Sequence, residues 1–239
     1  MTRFISRVAQ PSRRIRWMAL VLLACGLSAS DIALPQSPPQ QKRRVLNEIA
    51  LPSPQTKGKM SLEELLARRR SIRRFVPQTL SIAEIGQLMW AAQGITDAVR
   101  GLRTAPSAGA LYPLEIYLVA PDGLYHYLPQ GHRLERLGAE DLRRALAVAA
   151  ADQDCVGEAA LDVVIAAVLE RTAKKYGDRA ERYVQFEVGH VAENVLLQAA
   201  ALGLGGVPIG AIHEDQVKRV LGLSDSEEPL YLLSLGRPR

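Results

Sequence analysis

The sequence predicts an α+β layered fold, and three observations carry that reading. From Asp178 to Leu202, Val184, Val188, Val191, Val195, Ala199 and Leu202 recur at steps of three and four, one face of a long helix. Val163 to Leu169 is an unbroken apolar run of strand length, suited to a sheet interior. Leu114–Ala120 and Leu124–Leu128 flank Pro121-Asp122-Gly123, the pattern of two strands around a tight turn. Helices interleaved with a few strands bury their apolar sides by stacking in layers.

The remaining elements follow from local signals. Ser61-Leu62-Glu63-Glu64 is a capping box, since Ser61 and Glu64 can satisfy each other's free backbone N–H groups; it opens a helix through Ala67. Ser81-Ile82-Ala83-Glu84 repeats the motif, with Ile85, Leu88, Met89 and Ala92 on one face and Gly94 as the stop. A helix is expected over 141–151, Gly203 caps the long helix, Glu214–Leu221 forms a short one, and Leu230–Leu235 is a closing strand.

Charge narrows the function classes once it is localised. The net charge is +5, and residues 1–30 supply all of it through Arg3, Arg7, Arg13, Arg14 and Arg16 with no carboxylate. Residues 31–58 add a further +2, so the chain from Lys59 onward is about −2. A slightly acidic domain lacks the electrostatic footprint of a nucleic-acid binder, and aromatics at 5% offer no stacking platform. The four histidines show neither HExxH nor Cys/His ligand spacing, so no metal site is expected. Cys155 reads as a small buried thiol.

The chain divides into residues 1–30, 31–58 and 59–239. In the first part, Arg13, Arg14 and Arg16 precede an apolar run from Trp17 to Ala24 and a small-residue exit, the pattern of an export leader. Leu22-Leu23-Ala24-Cys25 approximates a lipobox, so a lipid anchor on Cys25 and a soluble product cut after Ala29 or Ser30 both stay open, as do Sec and twin-arginine export. Either route predicts an extracytoplasmic protein, touching a membrane only through the leader or a lipid on Cys25. Pro35 to Arg44, followed by Pro52 and Pro54, predicts an extended linker to residue 58.

Three segments of the domain are chemically suggestive. Arg68-Arg69-Arg70-Ser71-Ile72-Arg73-Arg74-Phe75 sets a hydroxyl among guanidinium forks, which suits a phosphate monoester; a solvated helix end is the alternative. Ala105-Pro106-Ser107-Ala108-Gly109-Ala110-Leu111-Tyr112-Pro113 runs small residues into a strand, where backbone can approach a flat ligand or simply form a tight loop. Gly203-Leu204-Gly205-Gly206-Val207-Pro208-Ile209-Gly210 follows a helix and lacks GxGxxG spacing, so it is not a dinucleotide fingerprint.

In this order, these segments with the basic chain end resemble the nitroreductase family over roughly residues 60–239. The resemblance implies a three-layer fold with an antiparallel-rich sheet, an intertwined homodimer, and FMN at the subunit interface. It implies that Arg69, with Arg70 beside it, grips the FMN phosphate, Ser71 the ribityl or phosphate oxygens, and Arg73 the pyrimidine edge, where positive charge raises the flavin potential. Arg237 matches a phosphate contact. Pro106, Ser107, Ala108 and Ala110 match the segment reaching the flavin from the partner subunit. Pro208, Ile209 and Gly210 match the segment along the ring.

Family members that reduce nitroaromatics commonly carry asparagine, tryptophan and glutamate where this chain has Ala110, Leu114 and Gly210. The pattern looks more like the SagB-type branch, whose dehydrogenases oxidise azolines in modified peptides. There a Lys-Tyr pair is assigned to catalysis, which Lys175 and Tyr176 match; a helix-end lysine and a packing tyrosine are the alternative. The expected function is FMN-dependent oxidoreduction of a small-molecule or modified-peptide substrate. An NAD(P)H-dependent nitro or quinone reductase and a non-catalytic flavin-binding module remain as competing readings.

Overall fold

The computed structural model describes residues 44–239, so the leader and the possible lipid site at Cys25 lie outside the described residues. In chain order the elements are β1 (Asn47–Ala50), α1 (Leu62–Arg68), α2 (Ile82–Gln93), β2 (Ile95–Asp97) and β3 (Leu102–Arg103). A 3-10 turn at Ala108–Ala110 leads into β4 (Leu114–Ala120), β5 (Gly123–Leu128), β6 (Arg133–Gly138), α3 (Arg143–Ala149), α4 (Asp154–Glu158) and β7 (Leu161–Ala167). Then come α5 (Leu169–Tyr176), α6 (Ala180–Ala201), β8 (Gly205–Ile209), α7 (Glu214–Leu221) and β9 (Glu228–Gly236).

Seven strands form one sheet in the order β1-β6-β5-β4-β7-β9-β8. Every pairing in it is antiparallel. Successive residues of a strand point to opposite faces, and here both faces are covered. Leu114, Ile116 and Leu118 of β4 and Val163 and Ile165 of β7 join a core with Leu88, Met89, Val184, Val191 and Val195 of α2 and α6. Tyr117, Val119, Val164 and Ala166 join the opposite core with Leu146, Val156, Val217 and Leu221 of α3, α4 and α7. The result is the helix–sheet–helix layering expected from the sequence, and it explains why β7 reads as continuously apolar.

Three expectations need correction. The helix expected over 141–151 is confined to Arg143–Ala149, because Ala151 and Asp152 both take φ of 56° and the Gln153 side chain donates to the Ala150 carbonyl at 2.9 Å; a separate short helix, Asp154–Glu158, follows. The strand expected at 163–169 is shifted two residues earlier, and Leu169 starts a helix instead. The linker expected to reach residue 58 is built into the domain from β1 onward. That strand pairs with β6, Leu51 is buried, and the Gln87 side chain holds both backbone groups of Gln55, at 2.8 and 3.0 Å. Prolines at 52 and 54 bar a helix but not an extended edge.

Candidate functional site

The arginine cluster is positioned by what ends α1. The capping box starts that helix, with Ser61 N–H donating to Glu64 at 2.8 Å and Glu64 N–H to the Ser61 hydroxyl at 3.2 Å. Arg69 then leaves helical geometry at φ −52°, ψ 127°. From there the chain runs extended along the sheet edge. Ser71 bridges Gly206 in parallel, Ile72 N–H donates to the Gly206 carbonyl at 3.0 Å, and Phe75 bridges Pro238. Val76 N–H reaches the Arg237 carbonyl at 3.0 Å, and Arg239 N–H the Arg74 carbonyl at 3.1 Å. Two glycines make this strap possible: a Cβ on Gly205 would lie 2.7 Å from Ile72, and one on Gly236 2.9 Å from Phe75. The cluster is therefore a strap laid on β8 and the chain end, and most of it past Arg69 is not a solvated helix terminus.

The strap gathers Arg69, Arg70, Ser71, Arg73 and Arg237 around the start of β8 and the end of β9. Two of these cations already have carboxylate partners. Arg69 Nε lies 3.4 Å from Glu193 Oε1 on α6, and Arg237 Nη2 donates to Glu84 Oε1 on α2 at 2.7 Å. Partial burial pushes the Glu84 carboxyl up, but the Ser81 backbone and hydroxyl donors and the Arg237 guanidinium together hold it below its ordinary value.

Pro208 follows on β8, an edge strand that reads as a loop in the sequence. The Gly206 carbonyl faces outward to Ile72, so alternation turns Pro208 outward as well, where a missing N–H costs no ladder bond. Ile209 is buried and Gly210 exposed. A Cβ on Gly210 would make only ordinary contact with Tyr231, at 3.7 Å, so crowding does not dictate a glycine there. Gly205 and Ile209 are four residue steps apart, about 13 Å of strand. Arginines and a hydroxyl thus stand at one end of an open edge, and a bare backbone segment at the other. An extended phosphate ester carrying a flat ring system fits that arrangement.

The remaining predicted residues form a second group. In the turn after Pro106, the Ser107 hydroxyl accepts the Tyr112 N–H at 2.9 Å and its carbonyl the Ala110 N–H at 3.0 Å. Gly109 takes φ of 65°, and Ala110 and Tyr112 also take positive φ, of 54° and 47°, a left-handed conformation that non-glycine residues adopt only at a cost. Lys175 and Tyr176, at the end of α5, lie on this turn: a Cβ on Gly109 would be 2.8 Å from Tyr176 Oη and 2.9 Å from Lys175 Nζ. Tyr176 also packs edge-on against Tyr183, with ring centroids 5.0 Å apart. Strands β7 and β9 separate β4, which this turn leads into, from β8, so the two groups stand about 14 Å apart in sheet terms.

Beneath the turn lies a polar network of which the sequence reading grasped little. Glu187 of α6 is 2% exposed and Gln93 of α2 is fully buried. Gln93 Nε2 lies 3.4 Å from Glu187 Oε1, and Arg103 Nη1 donates to Gln93 Oε1 at 3.0 Å. Burial pushes the Glu187 carboxyl up, opposed by hydrogen bonds from Ser107 and Gln93 and by the Arg103 charge. The signal was present: Glu187 falls on the apolar stripe, three residues after Val184 and four before Val191. A cavity of about 500 Å³ beside Pro77, Arg143 and Glu158 includes Arg239 but none of the predicted flavin or catalytic residues.

The chain matches the nitroreductase family over residues 66–237. It belongs to that family. Its members are generally FMN-dependent oxidoreductases. The Methanocaldococcus jannaschii protein MJ1384, which carries a provisional nitroreductase name, is 42% identical over 196 residues, covering 80% of this chain and 96% of its own. The microcin B17-processing protein McbC of Escherichia coli is 31% identical over 138 residues, 52% of this chain and 50% of McbC. The chain thus spans about half the length of that relative. A crystal structure from Ralstonia eutropha JMP134, also provisionally named a nitroreductase, superposes with a TM-score of 0.73 at 35% identity, covering 80% of this chain and 90% of that one.

For a nitroreductase-family oxidoreductase, the crowding at Gly109 gives a direct expectation. Gly109→Ala places a methyl group where Tyr176 and Lys175 now sit, in a left-handed conformation that costs about 1 kcal/mol. Where Lys175 or Tyr176 serves the reaction as proposed below, turnover should fall by roughly tenfold or more, because a displacement of about 1 Å at a reacting group is that costly or worse. Melting temperature and kcat measured on the same preparation check this.

Proposed function

We propose that the protein is an FMN-dependent oxidoreductase of the SagB-type branch, acting on a small-molecule or modified-peptide substrate. The observation that carries this reading is the open β8 edge, with arginines at one end and the Pro208–Gly210 backbone at the other. When bound, FMN supplies two-electron chemistry at its N5 position. Arg69 and Arg237 would hold the phosphate, with Arg70 alongside, Ser71 the ribityl or phosphate oxygens, and Arg73 the pyrimidine edge. Pro208, Ile209 and Gly210 line the ring and exclude water from it. Lys175 or Tyr176 accepts the proton that the substrate loses as its hydride departs.

The two groups of residues complement each other in a homodimer. The Pro106–Ala110 turn and the Lys175–Tyr176 pair of one subunit face the β8 edge of the other. Exposed Leu62, Leu66 and Phe186 on α1 and α6 offer the apolar surface that such a dimer covers. Similarity to McbC supports the dehydrogenase branch, as do Ala110, Leu114 and Gly210. Residues 1–30 direct the protein out of the cytoplasm, with a lipid on Cys25 as one form of anchorage.

The purified protein is expected to be yellow, or to become so with added FMN, and its flavin absorption should bleach anaerobically with a suitable donor or substrate. A colourless protein that takes up no FMN overturns the flavoprotein reading. A yellow protein whose flavin no donor reduces leaves only the non-catalytic binding module.

A further inference from the structure

We propose that a cavity beside Arg103 is a binding subsite for a carboxylate on a short apolar body. The cavity has a volume of about 300 Å³ and lies between the start of β4, the β5–β6 hairpin and α5. Its charged walls are Arg103, Arg133, Arg171 and Glu115. Three of these are matched. Arg171 is committed to Glu115 and to the Tyr112 carbonyl, and Glu115 also pairs with His126 Nε2 at 2.8 Å. Arg133 Nε lies 3.1 Å from Glu48, while its Nη1 donates to the Gln130 carbonyl at 2.9 Å.

Arg103 is the exception. Its guanidinium touches neutral partners, Gln93 Oε1 at 3.0 Å and the Tyr112 ring with its centroid 4.3 Å away. The carboxylates of Glu115 and Glu187 act on it only from longer range, and burial pushes it below its ordinary value. A sheltered cation without a contacting counter-ion favours an anion that brings two acceptor oxygens to its fork. Arg103 is the one cation of the wall without a carboxylate in contact, and Glu115 in the wall repels a second negative charge. That selects a monoanion over a phosphate dianion. Leu114, Ile116 and Leu128 make the rest of the wall apolar.

The cavity also sits where such an anchor would be useful. Arg171 and Lys175 are four residues apart on α5 and share one helix face, about 6 Å from each other. Arg103 N–H donates to the Tyr112 hydroxyl at 3.1 Å, and Tyr112 N–H to the Ser107 hydroxyl, which ties the cavity to the flavin-facing turn. A substrate held by its carboxylate at Arg103 therefore extends towards Lys175 and Tyr176. Carboxylate binding stands on the cavity alone; its service as a substrate anchor rests on the flavoprotein reading above.

The test compares butyrate with butyramide, which match in size and differ in charge, by calorimetry and thermal melting of the full protein at constant ionic strength. Butyrate should bind and raise the melting temperature, butyramide should not, and Arg103→Gln should weaken butyrate binding by about tenfold or more. Arg144→Gln, on an exposed arginine away from this cavity, should bind butyrate as the parent does. Equal binding of butyramide, equal stabilisation by inorganic phosphate, or unchanged binding in Arg103→Gln overturns the proposal. Should Arg103→Gln fail to fold, slowed amide exchange at Leu114–Ile116 of the parent protein with butyrate supports the site, and unchanged exchange refutes it. These readouts need no flavin, so a protein that takes up no FMN but still binds butyrate defeats the redox reading and leaves the subsite standing.

Discussion

Arg237→Ala is expected to weaken FMN binding by about 100-fold. The loss has two parts. A charge-assisted hydrogen bond to phosphate contributes about 1.5–3 kcal/mol, and about 1.4 kcal/mol is a factor of ten in affinity. The second part comes from Glu84, which the Arg237 guanidinium now neutralises at 2.7 Å. Without that partner a carboxylate faces the phosphate site, and repulsion adds to the missing contact. Glu84→Gln should act in the opposite direction, freeing Arg237 and tightening FMN. Glutamine keeps the capping box at Ser81, so α2 should stay intact. The double variant should recover most of the repulsive part and settle near a tenfold loss. Equilibrium titration of the apoprotein with FMN, followed by fluorescence quenching, reads all three. Equal affinities throughout would remove Arg237 from the cofactor site.

The second large effect concerns turnover with the cofactor in place. Lys175→Ala and Tyr176→Phe should each retain FMN, because neither belongs to the strap or to β8. A positioned acid or base contributes about 10²- to 10⁴-fold, so whichever residue takes the substrate proton should lose kcat by that factor when changed. Tyr176→Phe preserves the ring that packs on Tyr183 and deletes only the hydroxyl beside Gly109, so its melting temperature should match the parent's. Rapid anaerobic mixing with substrate, monitored at the flavin band, isolates this step from reoxidation. If both variants reduce flavin at the parent rate, Lys175 merely tops α5 and Tyr176 merely packs.

Local chemistry made much of the fold legible. Two capping boxes start α1 and α2 where the serines stand, and the stripe on α6 buries nearly as its spacing dictates. What escaped was set by partners far along the chain. β1 and β8 are edge strands that look like loop, β1 because Pro52 and Pro54 follow it and β8 because it carries two glycines and Pro208, and only pairing with β6 and β9 reveals them. The arginine cluster reads as the tail of a helix until Gly205 and Gly236 are seen making room for it. The Arg237–Glu84 pair spans 153 residues, beyond any local signal. Glu187 stood in plain view on an apolar stripe, but its partners Gln93, Arg103 and Ser107 come from other segments.

The place of β9 bears on how the protein is made. It is the last strand among the described residues, yet it lies inside the sheet, between β7 and β8. Until residues 228–236 are in place, β7 presents a bare hydrogen-bonding edge and β8 has no strand to pair with. The cradle of Ser71, Gly206 and Arg237 therefore closes only once residues 228–238 have joined the sheet. A chain truncated before Glu228 would carry Lys175 and Tyr176 and still have no completed edge at β8.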